Sequence, residues 1–241
     1  MLSASKPLSL DNLPHVWRAP ELSREREDVV PTGHARLDAE LPGGGWPFGS
    51  LVEILQSNAA RHVWQLLLPA LGRLGGIEQG PVVVVNPPYL PFVPALAAQG
   101  LPPHRLLRIE AQQPRSGLWA SEQALRCSEV MALLAWLPRC RAAELRRLHL
   151  AAAQHHKLLF VFRGIEARQD SSPARIRLAI EESDELKVEL LKRRGPPLVE
   201  PIALPTHPLR LQQLLDSRKR RRDPTMFPDR SHVLDRTVAI A

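Results

Sequence analysis

Pro42-Gly43-Gly44-Gly45-Trp46-Pro47-Phe48-Gly49-Ser50-Leu51-Val52-Glu53-Ile54-Leu55-Gln56-Ser57-Asn58-Ala59-Ala60-Arg61-His62-Val63 is the stretch on which the fold turns. A Gly/Pro-rich turn leads into Leu51–Leu55, a short run that reads as a strand. From Ala59 to Leu74 the apolar residues recur at helical spacing, with Val63, Leu66, Leu67, Ala70, Leu71 and Leu74 on the inner face. Strand, turn and helix in this order form the first unit of an α/β domain. Gly43-Gly44-Gly45 reads first as a structural turn, because glycine reaches φ > 0 without a Cβ penalty, and second as a ligand loop.

Working outward, the same alternation repeats. Val82–Val85 is a continuous β-branched run, which suits a parallel strand buried on both faces. A short helix over Phe92–Gln99 follows, then strand Leu106–Glu110, helix Ser116–Arg126, strand Val130–Trp136, amphipathic helix Arg141–His155 and strand Leu158–Phe162. Five alternations with short links predict a doubly wound, mostly parallel α/β sheet. Arg175–Glu182 and Glu185–Leu191 then read as period-2 strands around Ser183-Asp184, an antiparallel C-terminal hairpin at the sheet edge. The organisation expected is an arm over residues 1–28, a core over 29–195, and a Pro-rich, basic tail over 196–241. A short helix is expected in the arm near Leu10–Trp17.

The turn after the first strand is where a nucleotide-binding α/β domain holds phosphate. Glycines there admit backbone N–H groups, a lysine reaches the β- and γ-phosphates, and a Ser or Thr hydroxyl holds Mg²⁺. Gln56, Ser57, Asn58, Ala59, Ala60, Arg61, His62 and Val63 include no glycine and no lysine, and Val63 cannot ligate a metal. A carboxylate is also expected at a core strand tip. The tips here read Asn86-Pro87-Pro88 and Ala135-Trp136. The expectation is therefore no ATP hydrolysis, no nucleotide cofactor and no catalytic residue. Arg61 and His62 either fill the old pocket or bind an anion at a helix N-terminus. Trp136 is either core or a contact exposed in the vacated cleft.

Composition sets outer bounds. The chain has 241 residues and a formal net charge of +7, a balance that favours polyanionic partners or is merely solubilising. Its 24 prolines, roughly twice average usage, are scattered as punctuation between elements. Cys127 and Cys140 lack a metal-ligand pattern, and the histidines lack metal spacing, so no metal is expected. No apolar run approaches ~20 residues, and Met1–Leu10 lacks the features of a secretory leader. A cytoplasmic protein with no membrane partner is the expectation. Arg218-Lys219-Arg220-Arg221-Arg222 is a basic run without interleaved aromatics. It either attracts DNA phosphates weakly or only solubilises.

Taken in order, Pro31-Thr32-Gly33, Leu37-Asp38, Leu41, Gly43–Ser50 and Val52-Glu53-Ile54 resemble the lead-in of RecA to its phosphate loop. Lys157–Phe162, Arg175–Ile180 and Lys187–Arg194 resemble the last RecA core strands. The resemblance covers roughly residues 29–195. With the emptied loop, Asn86–Pro91 and Ala135-Trp136-Leu137-Pro138 it is similar to the ImuA family, which shades into proteins labelled SulA-like. The resemblance implies a RecA-like fold and an accessory role in DNA-damage-induced (SOS) translesion synthesis in bacteria. The implied partners are ImuB, an inactive Y-family polymerase relative, together with RecA and an error-prone polymerase; a place near the nucleoid follows. It also implies that Lys192 and Arg194 stand where RecA carries basic residues toward a neighbour, so that a subunit or partner interface competes with a solvated strand end. The loop Gly164–Pro173 is short where RecA has a long DNA-contacting loop, which puts DNA binding of that type in doubt. The alternatives are a cell-division inhibitor of the SulA type and a residual nucleotide-binding regulator.

Overall fold

The computed structural model describes residues 28–57, 62–77, 80–89, 91–181, 185–198 and 200–205. Among the described residues the strands are β1 (Val29–Val30), β2 (Trp46–Pro47), β3 (Ser50–Gln56), β4 (Val82–Val85), β5 (Leu106–Ile109), β6 (Ala132–Trp136), β7 (Leu158–Gly164), β8 (Ile176–Ile180), β9 (Leu186–Lys192) and β10 (Ile202–Leu204). The helices are α1 (Ala35–Glu40), α2 (Val63–Ile77), α3 (Val93–Ala98), α4 (Pro114–Arg126) and α5 (Ala142–His155). Eight strands build one sheet in the order β10-β9-β8-β3-β7-β6-β4-β5. Neighbours from β8 through β5 are parallel, whereas β9 and β10 pair antiparallel.

The apolar runs take the parallel strands because those strands are covered on both sides. On one face Val52, Ile54, Val82, Val84, Leu134 and Phe160 pack against α2 through Leu66, Leu67 and Leu71. On the other, Leu51, Val83, Leu133 and Val161 pack against α4 and α5 through Leu125, Leu145 and Leu148. This is a mixed α/β layered architecture with helices on both faces of a mostly parallel sheet.

The lead-in is fixed by close approach. Gly33 has φ of 88°, and a Cβ there would lie 2.4 Å from Cβ of Pro69 in α2. Thr32 donates its backbone N–H to Asp38 Oδ1 at 2.7 Å, and its hydroxyl accepts the His34 N–H at 3.0 Å. The imidazole of His34 reaches α2, where Nε2–H donates to the Gln65 carbonyl at 3.2 Å. Gly43 and Gly44 have φ of 75° and 80°, the left-handed turn that leads into β2.

The structure departs from expectation at several boundaries. Helix α2 starts at Val63 rather than Ala59; Ala59 itself lies outside the described residues. The β8–β9 pair is not the outermost part of the sheet, since β10 flanks it. The tail expected from residue 196 therefore begins too early: Ile202, Ala203 and Leu204 pair with Val188, Lys187 and Leu186. Pro196, Pro197, Pro201 and Pro205 make this stretch read as coil, yet all four lie outside the three paired residues. Residues 1–27 of the arm and the basic run Arg218–Arg222 lie outside the described residues, as does the turn at Ser183-Asp184.

Candidate functional site

A cleft of about 780 Å³ opens at the carboxyl ends of the parallel strands, where ligands of open α/β sheets bind. Gln56 and Ser57 reach it from the end of β3, Asn86 from β4, Trp136 and Leu137 from β6, and Phe162 and Arg163 from β7. The first turn of α4 closes one side with Pro114, Arg115 and Leu118. Asn86 shapes that side. Its backbone has φ of 51°, a left-handed conformation that Asn tolerates better than most residues. Its side chain accepts the Ala111 N–H at 2.7 Å, which pins the approach to α4. A Cβ on Gly117 would come within 2.9 Å of Asn86 Nδ2, so α4 sits this close only with glycine there.

The walls are largely apolar. Trp136 is buried and stacks on Phe162, with ring centroids 4.3 Å apart and planes at 15°. Three buried polar atoms in lining residues have no hydrogen-bond partner among the described residues: the donors Trp136 Nε1 and Arg163 Nε, and the acceptor Gln56 Oε1. An orphaned buried polar atom costs about 1–3 kcal/mol.

Charge enters the site already bound. Glu53, fully buried in the middle of β3, meets Arg163 of β7 at 2.9 Å and Arg177 of β8 at 2.7 Å. Arg163 also reaches Asp170 at 2.7 Å, and Arg177 donates to the Ala167 carbonyl at 2.8 Å. Burial works against the Arg163 charge, but the bonds to Glu53 and Asp170 outweigh it and hold the guanidinium above its ordinary value. Cys140 lines the cleft as a neutral thiol: burial first, then the Glu144 carboxylate, push it up to about 12. It is therefore not a thiolate nucleophile at neutral pH. Among the described residues no three His, Cys, Asp or Glu side chains come together to hold a metal.

Of the residues that the sequence singles out, Gln56, Ser57 and Trp136 converge on the cleft. Asn58, Ala59, Ala60 and Arg61 lie outside the described residues. Val63 is buried core, and His62, with φ of 63°, places its Nδ1 2.5 Å from Gln65 Oε1. Trp136 is buried and packs in the core, and its ring also borders the cleft. Lys192 and Arg194 lie elsewhere, at a shallow hollow of about 410 Å³ beside the amino end of β3, with Ser50, His149 and Arg175. Lys192 Nζ donates to the Ser172 carbonyl at 3.0 Å. Sequence reading missed the Glu53–Arg163–Arg177 cluster. The available signal was one charge in each of three otherwise apolar strands.

No protein-family model matches the chain. Over 106 residues, 44% of its length, the chain is 32% identical to the cell division inhibitor SulA of Edwardsiella piscicida. The match spans 63% of that protein, so the chain covers less than two thirds of this relative. No helix among the described residues is long and apolar enough to cross a membrane.

Proposed function

We propose that the chain is a RecA-like, non-catalytic accessory protein of DNA-damage-induced translesion synthesis. It acts through contacts with an inactive Y-family polymerase relative, with RecA and with an error-prone polymerase. The observation that carries the reading is the chemistry of the strand tips. Where a nucleotide-hydrolysing α/β domain needs a glycine-rich loop, a lysine and a carboxylate, this cleft presents Gln56, Ser57 and the Trp136–Phe162 stack. Such a wall suits protein surface better than phosphate.

The reading has a direct test. Purified protein turns over no ATP with or without single-stranded DNA, and its gene restores damage-induced mutation in a strain that lacks it. A DNA-stimulated ATPase rate that survives Arg61→Ala and His62→Ala would overturn it. The basic run supplies a salt-sensitive DNA contact on this reading: removing residues 218–241 lowers DNA affinity at low ionic strength and has no effect at high ionic strength.

A second reading rests on the similarity to the cell division inhibitor SulA. On it, the chain binds the tubulin-like division protein. Filamentation on overexpression, with damage-induced mutation unchanged, would select this reading over the first.

A further inference from the structure

We infer that the outer edge of β5 is an interface between two copies of this chain, which pair their β5 strands antiparallel about a two-fold axis at Ile109. The inference goes beyond the proposed function and does not rest on it. It starts from the contrast between the two edges of the sheet. At one edge β10 is three residues long and bounded by Pro201 and Pro205, and Arg36 donates to its Ala203 carbonyl at 3.4 Å. A short strand, prolines and a covering group all block strand addition. At the other edge β5 has no strand beyond it among the described residues. Leu107, in the middle of β5, is 49% exposed. Tyr89, Phe92 and Val93 on the connection before β5 and Trp119 on the helix after it are exposed as well, so large apolar side chains gather in the stretch that carries this edge.

The backbone sets which residues can pair. The Ile109 carbonyl accepts the Asn86 N–H at 2.9 Å, and the Ala111 N–H donates to Asn86 Oδ1 at 2.7 Å. Residues 109 and 111 therefore face β4, and the alternate residues Arg108 and Glu110 turn their N–H and C=O groups outward. An antiparallel second copy bonds to those outward groups. Side-chain charge then selects the register. In a pairing centred on Arg108 two guanidinium groups stand opposite each other, which is unfavourable. In one centred on Leu107, Arg108 faces Leu106 and gains no opposite charge. In one centred on Ile109, each Arg108 faces Glu110 of the second copy, twice by symmetry. Arg108 and Glu110 already meet within one chain, so the pairing joins four side chains of alternating charge. The edge is thus complementary to itself, which argues for a second copy over an unrelated strand.

The test uses the full chain. Analytical ultracentrifugation at roughly 100 µM finds a species of twice the chain mass. Arg108→Glu alone and Glu110→Arg alone set like charges opposite each other and weaken the dimer at least roughly tenfold. Both side chains are exposed, so the circular dichroism spectrum of each variant stays unchanged. An equimolar mixture of the two variants dimerises again, because the glutamates of one copy face the arginines of the other while neither chain regains its internal pair. In a Cys127→Ser background, Ile109→Cys forms an intermolecular disulfide on mild oxidation, since facing residues of such a pair have Cα atoms about 4.5 Å apart. Leu107→Cys, four residues out of register with its counterpart, does not. A chain that stays monomeric at roughly 100 µM, a dimer that neither charge reversal weakens, or cross-linking by Leu107→Cys in place of Ile109→Cys would each overturn the assignment.

Discussion

The two ends of β3 lie in one strand and differ in kind. At the amino end the polar backbone is bonded: Gly49 N–H meets the Lys157 carbonyl at 3.0 Å, Leu51 N–H meets His149 Nδ1 at 3.0 Å, and the Leu51 carbonyl accepts the Arg175 N–H at 3.0 Å. At the carboxyl end Gln56 Oε1 has no partner and the chain opens into the cleft. Between them Glu53 holds two arginines in the core. The amino half is thus complete as structure, while the carboxyl end is left unsatisfied, and local rules are most often broken at functional sites.

If that contrast is physical, substitutions along the strand have graded effects. The largest comes at its centre. Glu53→Leu strands two buried guanidinium groups and costs about 3–5 kcal/mol, read as the shift in urea midpoint. A loss below about 1 kcal/mol would mean that the cluster is solvated and the centre is not distinct. Next is the lead-in: Gly33→Val combines a left-handed backbone with a clash against Pro69 and costs about 1–3 kcal/mol, by the same measurement.

The amino end then responds to acid. Burial, followed by the charges of Arg175 and Lys192, holds the His149 imidazole below its ordinary value of 6.5. Burial likewise depresses His34. Below about pH 6.5 the unfolded chain takes up protons that the folded chain refuses. The contribution of both residues to stability is therefore full above that pH and is lost as the pH falls through it. Protonated Nδ1 could no longer accept the Leu51 N–H. Denaturant titrations from pH 8 down to roughly pH 5 show this decline, and His149→Leu lowers stability at pH 8 by about 1–3 kcal/mol while flattening the slope. An unchanged slope would remove His149 from the account.

The smallest effect is of opposite sign. Gln56→Leu relieves an orphaned acceptor, and thermal melting finds the variant unchanged or more stable by up to about 1 kcal/mol. A clear destabilisation would show that the carboxyl end is as complete as the other, and the comparison would fail.

Much of this was legible in the sequence because period and punctuation suffice for it. Val82–Val85 suited a parallel strand buried on both faces, Leu158–Phe162 read as another strand, and Leu145 and Leu148 marked the inner face of α5. The turn at Gln56 and Ser57 and the tip at Trp136 were found because strand ends in such sheets face one crevice. Strand β10 was hidden by its brevity and its flanking prolines. Glu53, Arg163 and Arg177 escaped because a lone charge in an apolar strand reads as a turn toward solvent, and only the sheet register sets Glu53 opposite Arg177. Arg115 and Arg139 escaped for a related reason: they sit on separate connections that only the three-dimensional fold brings to one cleft.

The thiol of Cys140 has a practical corollary. With its ionisation displaced to about 12, the Cys140 thiol stays neutral at pH 7, and the sulfur is buried besides. Cys127, just past the end of α4, is exposed. Maleimide chemistry on the unaltered protein therefore attaches a fluorophore at a single, known place, on the helix whose opposite end borders the cleft.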